Sequence, residues 1–311
     1  MPLMTLKATR VVDPILTTVV QGYVQPEFVG NALFPPVPVS ARAGKVIEFG
    51  KEDFALFDTR RAPGAATKRR NINYGDRNYS LYQDRLEGEL PREHLEESSG
   101  LGFNLQTETA ESTMRSIQLR LEYDQAAIAT NAANYDANHK LVLSGSSQFS
   151  DPNSKPSTLI RSWMESVRST TGVYPNTMLM GPKPRIAFVE HEEIKDKIKY
   201  TSSATITNGA IAQMYGLDNV VVGTGLILNN ETGEFVDIWG NVIILAYVPQ
   251  TRRSIRQPSY GYTYTLQGYP MVERPYWDDN HATWFFPVTA ERSPELTGVA
   301  SGFLIQNVVA L

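Results

Sequence analysis

His191-Glu192-Glu193-Ile194-Lys195 is the run in this chain that comes nearest to a catalytic signature. A zinc-protease helix needs a second imidazole one turn after the first, so that two ring nitrogens share a face with the glutamate as general base. Lys195 holds that position, and the ligand pair is missing. Asp278, Asp279 and His281 come next, since carboxylate oxygens beside an imidazole can hold a divalent cation. The plainer reading is a polar loop between Trp277 and Trp284, because short acidic runs are usually solvated. Gly223-Thr224-Gly225 lacks the third glycine and the following helix of a dinucleotide loop. There is no Walker loop and no G-x-S-x-G elbow. Without cysteine, disulfides, thiolate nucleophiles and Cys-ligated metals drop out together. No cofactor is implied, and a metal-dependent hydrolase is the weakest of the readings the sequence leaves.

The chain has 311 residues, 41% of them hydrophobic, enough for a sizeable core in one large domain or two. Its 29 Lys and Arg against 33 Asp and Glu give a formal charge of -4, which argues against a general polyanion binder. The aromatic residues are not interleaved with a basic stripe, so packing and subunit contacts account for them better than base stacking does. Lys7, Arg10 and Asp13 interrupt the first segment, which does not read as an export signal. No run of about 18 apolar residues suggests a membrane span. Asn230-Glu231-Thr232 accordingly reads as a turn.

The elements that would carry any site follow from periodicity. Residues 22–39 (GYVQPEFVGNALFPPVPV) hold much apolar surface, yet Pro26, Pro35, Pro36 and Pro38 rule out a long helix and cannot donate to a central ladder. The segment reads as an extended strap whose apolar side chains seek burial. Residues 45–59 and 71–82 are two strand-forming arms around the tip TRRAPGAATKRR, which carries Arg60, Arg61, Lys68, Arg69 and Arg70. Such a hairpin would project roughly 50 Å per arm and find its partner on another chain. Residues 107–135 form a continuous helix of about 40 Å, with Ala110, Met114, Ile117, Leu121, Ile128 and Ala132 inward. Glu111, Arg115, Gln118 and Glu122 are assigned to its other faces. A second helix is read at 157–170. A strand at 177–180, helices at 182–191 and 207–215, and strands at 219–223, 225–228 and 242–248 then make an α/β unit over 174–249. The remainder returns to strand chemistry.

The order of these parts resembles the major capsid proteins of tailed bacteriophages, which share the Hong-Kong-97-type α+β fold. The similarity rests on Asp13-Pro14-Ile15-Leu16, Gly22-Tyr23, Phe28-Val29-Gly30 and Leu33-Phe34-Pro35-Pro36-Val37-Pro38-Val39 in the arm. It continues in Gly172-Val173-Tyr174-Pro175-Asn176 and the run 178–200. The resemblance implies an N-terminal arm at 1–42, an extended β-hairpin loop at 43–92 and a peripheral domain at 93–173 containing the spine helix. It implies an axial domain at 174–249 and a return to the peripheral domain at 250–311. The expected function is a non-enzymatic shell protein that self-assembles into hexamers and pentamers of an icosahedral head around double-stranded DNA, without sequence-specific binding. Assembly in the host cytoplasm, a portal and an optional decoration protein go with it. Some members begin with a scaffolding segment that is cut away, whereas this sequence enters the arm almost at once, so either a separate scaffolding protein is expected or such a segment lies outside this sequence. The intersubunit contacts expected are Phe28, Leu33, Phe34, Val37, Arg60, Arg61, Lys68, Arg69 and Arg70. Within the same architecture the alternative is an encapsulin-type shell housing a cargo enzyme.

Overall fold

The computed structural model describes residues 13–22, 28–46, 60, 77–98, 104–199, 206–250 and 259–310. Two sheets and one long helix set the architecture. The helix, α3 (Leu105–Thr130), is 26 residues long, about 39 Å at the helical rise per residue. Asn104 caps it by accepting the Thr107 N–H, and the chain leaves it at the extended Asn131. The expected continuation to residue 135 is a separate 3-10 turn, Ala132–Asn134, because Asn131 restarts the chain by capping the Ala133 N–H.

The first sheet is built around β14 (Thr283–Leu296). Strand β4 (Tyr82–Pro91) lies antiparallel along Thr283 to Arg292 on one side and runs on into the short helix α2 (Arg92–Ser98). On the other side β13 (Tyr276–Asp278), β12 (Met271–Val272) and β11 (Gly261–Leu266) pair with it in succession. Strand β1 (Pro36–Val39) closes the edge, parallel to β11. The sequence makes this edge placement understandable. Pro36 and Pro38 lack a donor and face out, while Val37 and Val39 turn inward, so only an edge strand suits them. Before this strand, α1 (Pro14–Gly22) seats Leu16 and Val20 against Met114, Phe286 and Val288.

The second sheet has the order β5 (Lys140–Val142), β15 (Gly302–Gln306), β10 (Val242–Ala246), β6 (Thr177–Met180) and β7 (Asn219–Val222). All five residues of β10 are buried, as expected for a strand covered on both faces. Ile243 and Leu245 face α4 (Pro156–Thr171), α5 (Pro182–Glu190), α6 (Glu192–Lys199) and α7 (Asn208–Tyr215) through Ile160, Trp163, Phe188, Ile194 and Ile211. Ile244 and Ala246 face the opposite way, toward Phe34, Ala126, Ala129 and Trp239. Residues 259–310 are shared between the sheets, since β14 belongs to the first and β15 to the second.

The base of the expected hairpin loop is present as β2 (Ala43–Lys45) antiparallel to β3 (Asn78–Ser80). Of that loop, residues 47–59 and 61–76, including Arg61, Lys68, Arg69 and Arg70, lie outside the described residues, while Tyr82–Pro91 belongs to the first sheet as β4.

Candidate assembly surfaces and the arm latch

The residues that suggested chemistry are engaged in local structure. His191 accepts the Glu193 N–H at Nδ1, 3.2 Å away, which leaves Nε2 to face Ser154 Oγ at 3.0 Å and Asp151 O at 3.2 Å. It therefore caps α6 and ties it to the loop before α4. Asp278 accepts from His281 Nδ1 at 2.7 Å and from the Asn280 N–H at 2.9 Å, and Trp277 Nε1 donates to Asp279 at 2.6 Å. This pairing lowers the pKa of Asp278 and raises that of His281. Among the described residues no cluster of three His, Asp or Glu side chains has the arrangement of a metal site.

The arm contacts expected to await a neighbour are satisfied at home. Leu33 and Phe34 are 0% exposed and Val37 is 3% exposed within the single chain. The reason is local. A 3-10 turn, Gly30–Ala32, folds the strap back so that the Phe34 N–H reaches Gly30 O at 2.9 Å and the Phe34 ring packs 5.5 Å from Tyr260. The β1 pairing then buries Val37 beside Tyr262 and Tyr264. Within the single chain these three side chains are core residues. Phe28 is half-buried and lines a crevice of about 450 Å³ with Leu121, Leu266 and Pro270. Arg60 is exposed.

The sequence assigned Glu122 to an outer face of α3, yet it is 2% exposed. Its position on the helix explains this. Ala110, Met114 and Ile117 pack on the first sheet, whereas Ala126 and Ala129 pack on the second. Glu122 sits where α3 passes from one core to the other. Its Oε1 accepts the Val29 N–H at 2.9 Å and Trp239 Nε1–H at 2.6 Å, and its Oε2 accepts the Gly30 N–H at 2.8 Å. One turn on, Gln125 Nε2 donates to Asn31 Oδ1 at 3.1 Å and Thr263 Oγ1 at 2.9 Å, and the Thr263 hydroxyl donates to Phe34 O at 3.0 Å. A single latch thus joins the arm, the spine helix, β11 and the approach to β10. Burial raises the Glu122 pKa above its ordinary value, opposed by the Trp239, Gly30 and Val29 donors.

Gly30 is the position at which this latch tolerates no side chain. A Cβ there would lie 2.0 Å from Gln125 Oε1 and 2.8 Å from Glu122 Oε2. Gly30→Ala should therefore cost about 1–3 kcal/mol of unfolding free energy, measured by denaturant titration. An alanine variant as stable as the wild type would show that the latch yields freely.

Sequence reasoning missed this site because helical spacing alone puts Glu122 beside Gln118 on a polar stripe. Its donors are backbone groups 92 and 93 residues away and an indole 117 away. Other buried polar contacts reinforce the same joint. Arg292 reaches Asp84 at 3.3 Å and donates to Ile117 O, with burial lowering its pKa. Tyr135 donates to Ala129 O at 2.7 Å and meets the Tyr260 hydroxyl, and burial raises the pKa of both phenols.

An arm latched to a long helix that bridges two cores is an architecture suited to a building block, and comparison decides which one. The major capsid protein of Burkholderia phage BcepMu is 33% identical over 312 aligned residues, covering 97% of this chain and 98% of its own length. This chain belongs to the phage major capsid proteins. Residues 128–256 match the family described as phage major capsid protein E. The crystal structure of a phage-related protein from Bordetella bronchiseptica RB50 superposes with a TM-score of 0.83 and 36% identity, covering 96% of this chain and 98% of that one. The SrpI encapsulin of Synechococcus elongatus PCC 7942 shares the fold at a TM-score of 0.54 and 15% identity, over 92% and 89% of the two chains. The capsid protein therefore has the Hong-Kong-97-type α+β fold, and its family is a structural one of the virion. No helix among its described residues is long and apolar enough to cross a membrane.

Proposed function

We propose that the capsid protein self-assembles into the hexamers and pentamers of an icosahedral head that confines double-stranded DNA, with no catalytic turnover. The observation that carries this reading is the end-to-end match to a phage major capsid protein, 97% of one chain against 98% of the other. The arm at 1–42, the loop at 43–92, the peripheral domain at 93–173 and 250–311, and the axial domain at 174–249 are its proposed working parts. Phe28 and the cations Arg60, Arg61, Lys68, Arg69 and Arg70 are proposed to meet neighbouring subunits. A separate scaffolding protein, a portal and an optional decoration protein are the proposed partners, with assembly in the host cytoplasm. The likeness to an encapsulin is one of fold alone, which leaves the cargo-shell reading without support of its own.

Each exposed pair formed by the cationic tip would contribute about 0–1 kcal/mol, so lattice strength comes from repetition. Sedimentation of the purified protein tests the proposal. Fast-sedimenting assemblies should form as concentration rises and weaken as salt screens the tip. A monomer at every concentration would overturn it.

With a formal charge of -4 per subunit, the shell should confine DNA without neutralising it. Duplex binding by the free subunit should therefore be weak, measured by fluorescence anisotropy in low salt. Tight binding with a steep salt slope would contradict this expectation.

A further inference from the structure

Four large apolar side chains that the described chain leaves in solvent, Leu226, Leu228, Phe235 and Val236, sit on one ribbon. Its strands, β8 (Leu226–Leu228) and β9 (Phe235–Asp237), pair with each other and with no other strand among the described residues. Leu228 stands opposite Phe235, and Phe235 is 72% exposed. The ribbon also carries Glu231, Glu234 and Asp237 and no Lys or Arg. A two-stranded ribbon with so little of its own to pack on is marginal alone, and an exposed apolar patch rimmed by charge marks a docking surface.

The complementary surface lies on α5. Its first turns carry Lys183 and Arg185 and no acidic residue. Cations at that end add to the positive pole of the helix instead of offsetting it. Arg185 is committed to Asn208 Oδ1 at 3.0 Å and Ile206 O at 2.7 Å, but Lys183 is exposed. Beside it Ile186 is 58% exposed and borders a groove of about 480 Å³ floored by Phe149, Pro152, Ala187 and Val309. Glu190 and Glu192 line the same groove. They would repel the acidic ribbon tip from their own end and direct it toward Lys183.

Topology puts both surfaces at one end of the second sheet. Strands β6 and β7 are parallel, α5 leaves the end of β6, and the ribbon leaves the end of β7. The Gly223 N–H bonds Met180 O at 2.9 Å, which holds the two exits together. The high exposure of Phe235 and Ile186 shows that neither covers the other within a copy.

The geometry points to a contact between copies in which the ribbon of one subunit seats Phe235 and Leu228 in the Ile186 groove of the next, with Glu231 and Glu234 over Lys183. The occupant is a second copy of this chain because the acidic ribbon tip is opposite in charge to the Lys183 end of the groove and both surfaces lie at one end of the same sheet. Ribbon against ribbon would instead oppose acidic tips. Such a contact is heterologous, so repetition about an axis at this end of the sheet closes a ring. The inference rests on the self-assembly proposed above.

The absence of cysteine makes a clean test available. Phe235→Cys and Ile186→Cys, both at exposed positions, are combined in one chain and oxidised under conditions in which the wild type assembles. The double variant should give a ladder of disulfide-linked oligomers that stops at the proposed capsomer sizes, pentamer and hexamer, and mixed single variants should give only heterodimers. A control pair, Phe235→Cys with Val142→Cys, should give no ladder. Wild-type assemblies with no ladder from the double variant would overturn the contact and leave the self-assembly reading standing. Covalent homodimers from Phe235→Cys alone would also overturn it, by showing ribbon against ribbon. An intramolecular disulfide confined to monomers would do the same. If the wild type never assembles, both the contact and the reading beneath it fall.

Discussion

Replacing Glu122 with alanine lowers the unfolding free energy of the subunit by about 2–5 kcal/mol, because three buried donors lose their acceptor at once. The Val29 and Gly30 N–H groups and the Trp239 indole lie 2.6–2.9 Å from this carboxylate. Part of the loss is offset, since a buried charge is removed with its desolvation cost. A shift of the denaturation midpoint at unchanged slope is the measurement that checks it. Glu122→Gln separates charge from hydrogen bonding. Its amide oxygen can still accept the donors now bound to Oε1, while its amide nitrogen faces the Gly30 N–H. The pH dependence has a definite sign. Burial raises the folded pKa above the ordinary 4.5, so the folded chain holds this proton more tightly than the unfolded one. The stability gained by protonation is present below the ordinary value and is lost as pH rises through the raised folded one. The wild type should lose stability relative to Glu122→Gln across that window. A constant difference would show that the carboxylate does not titrate there.

Trp239→Ala should be comparably costly, about 3–5 kcal/mol. The indole is 1% exposed and belongs to the core shared by α3 and the second sheet. It also stands against Gly223, where a Cβ would approach its Cδ1 to 2.1 Å, so truncation opens a cavity between the exits of two strands. Because Trp239 and Glu122 share one hydrogen bond, their losses should not add. The double variant should fall short of the sum by about 0.5–3 kcal/mol. Additive losses would mean that the latch is two separate anchors and not one joint.

How much of this was legible in the sequence follows from where each signal resides. The helices at 156–171, 182–190 and 208–215 and the strand at 177–180 announce themselves through local spacing, proline at the first turn and glycine after the last. The end of the proline-rich arm, Pro36–Val39, was legible as extended, since missing donors confine Pro36 and Pro38 to an edge, whereas the 3-10 turn at Gly30–Ala32 within the expected strap was not. Its partner was not. Leu33 and Phe34 are apolar whether they pack on their own chain or on a neighbour, and only the 3-10 turn at Gly30–Ala32 decides for the former. Glu122 was illegible for a related reason, because a buried carboxylate served by distant backbone groups looks locally like any solvated helix residue. The ribbon at 226–237 had the composition of an ordinary strand pair. Its unusual property, apolar side chains left in solvent, exists only once the rest of the chain has packed elsewhere.

These features describe a subunit whose arm and two cores are tied together internally and whose remaining apolar surface is proposed to face its own kind. Electron microscopy of particles purified after expression tests that claim most directly. The account predicts closed icosahedral shells built of pentamers and hexamers, with the second sheet's ribbon end toward the ring axes. Well-folded subunits that remain monomeric at high concentration, with or without scaffolding protein, would contradict it.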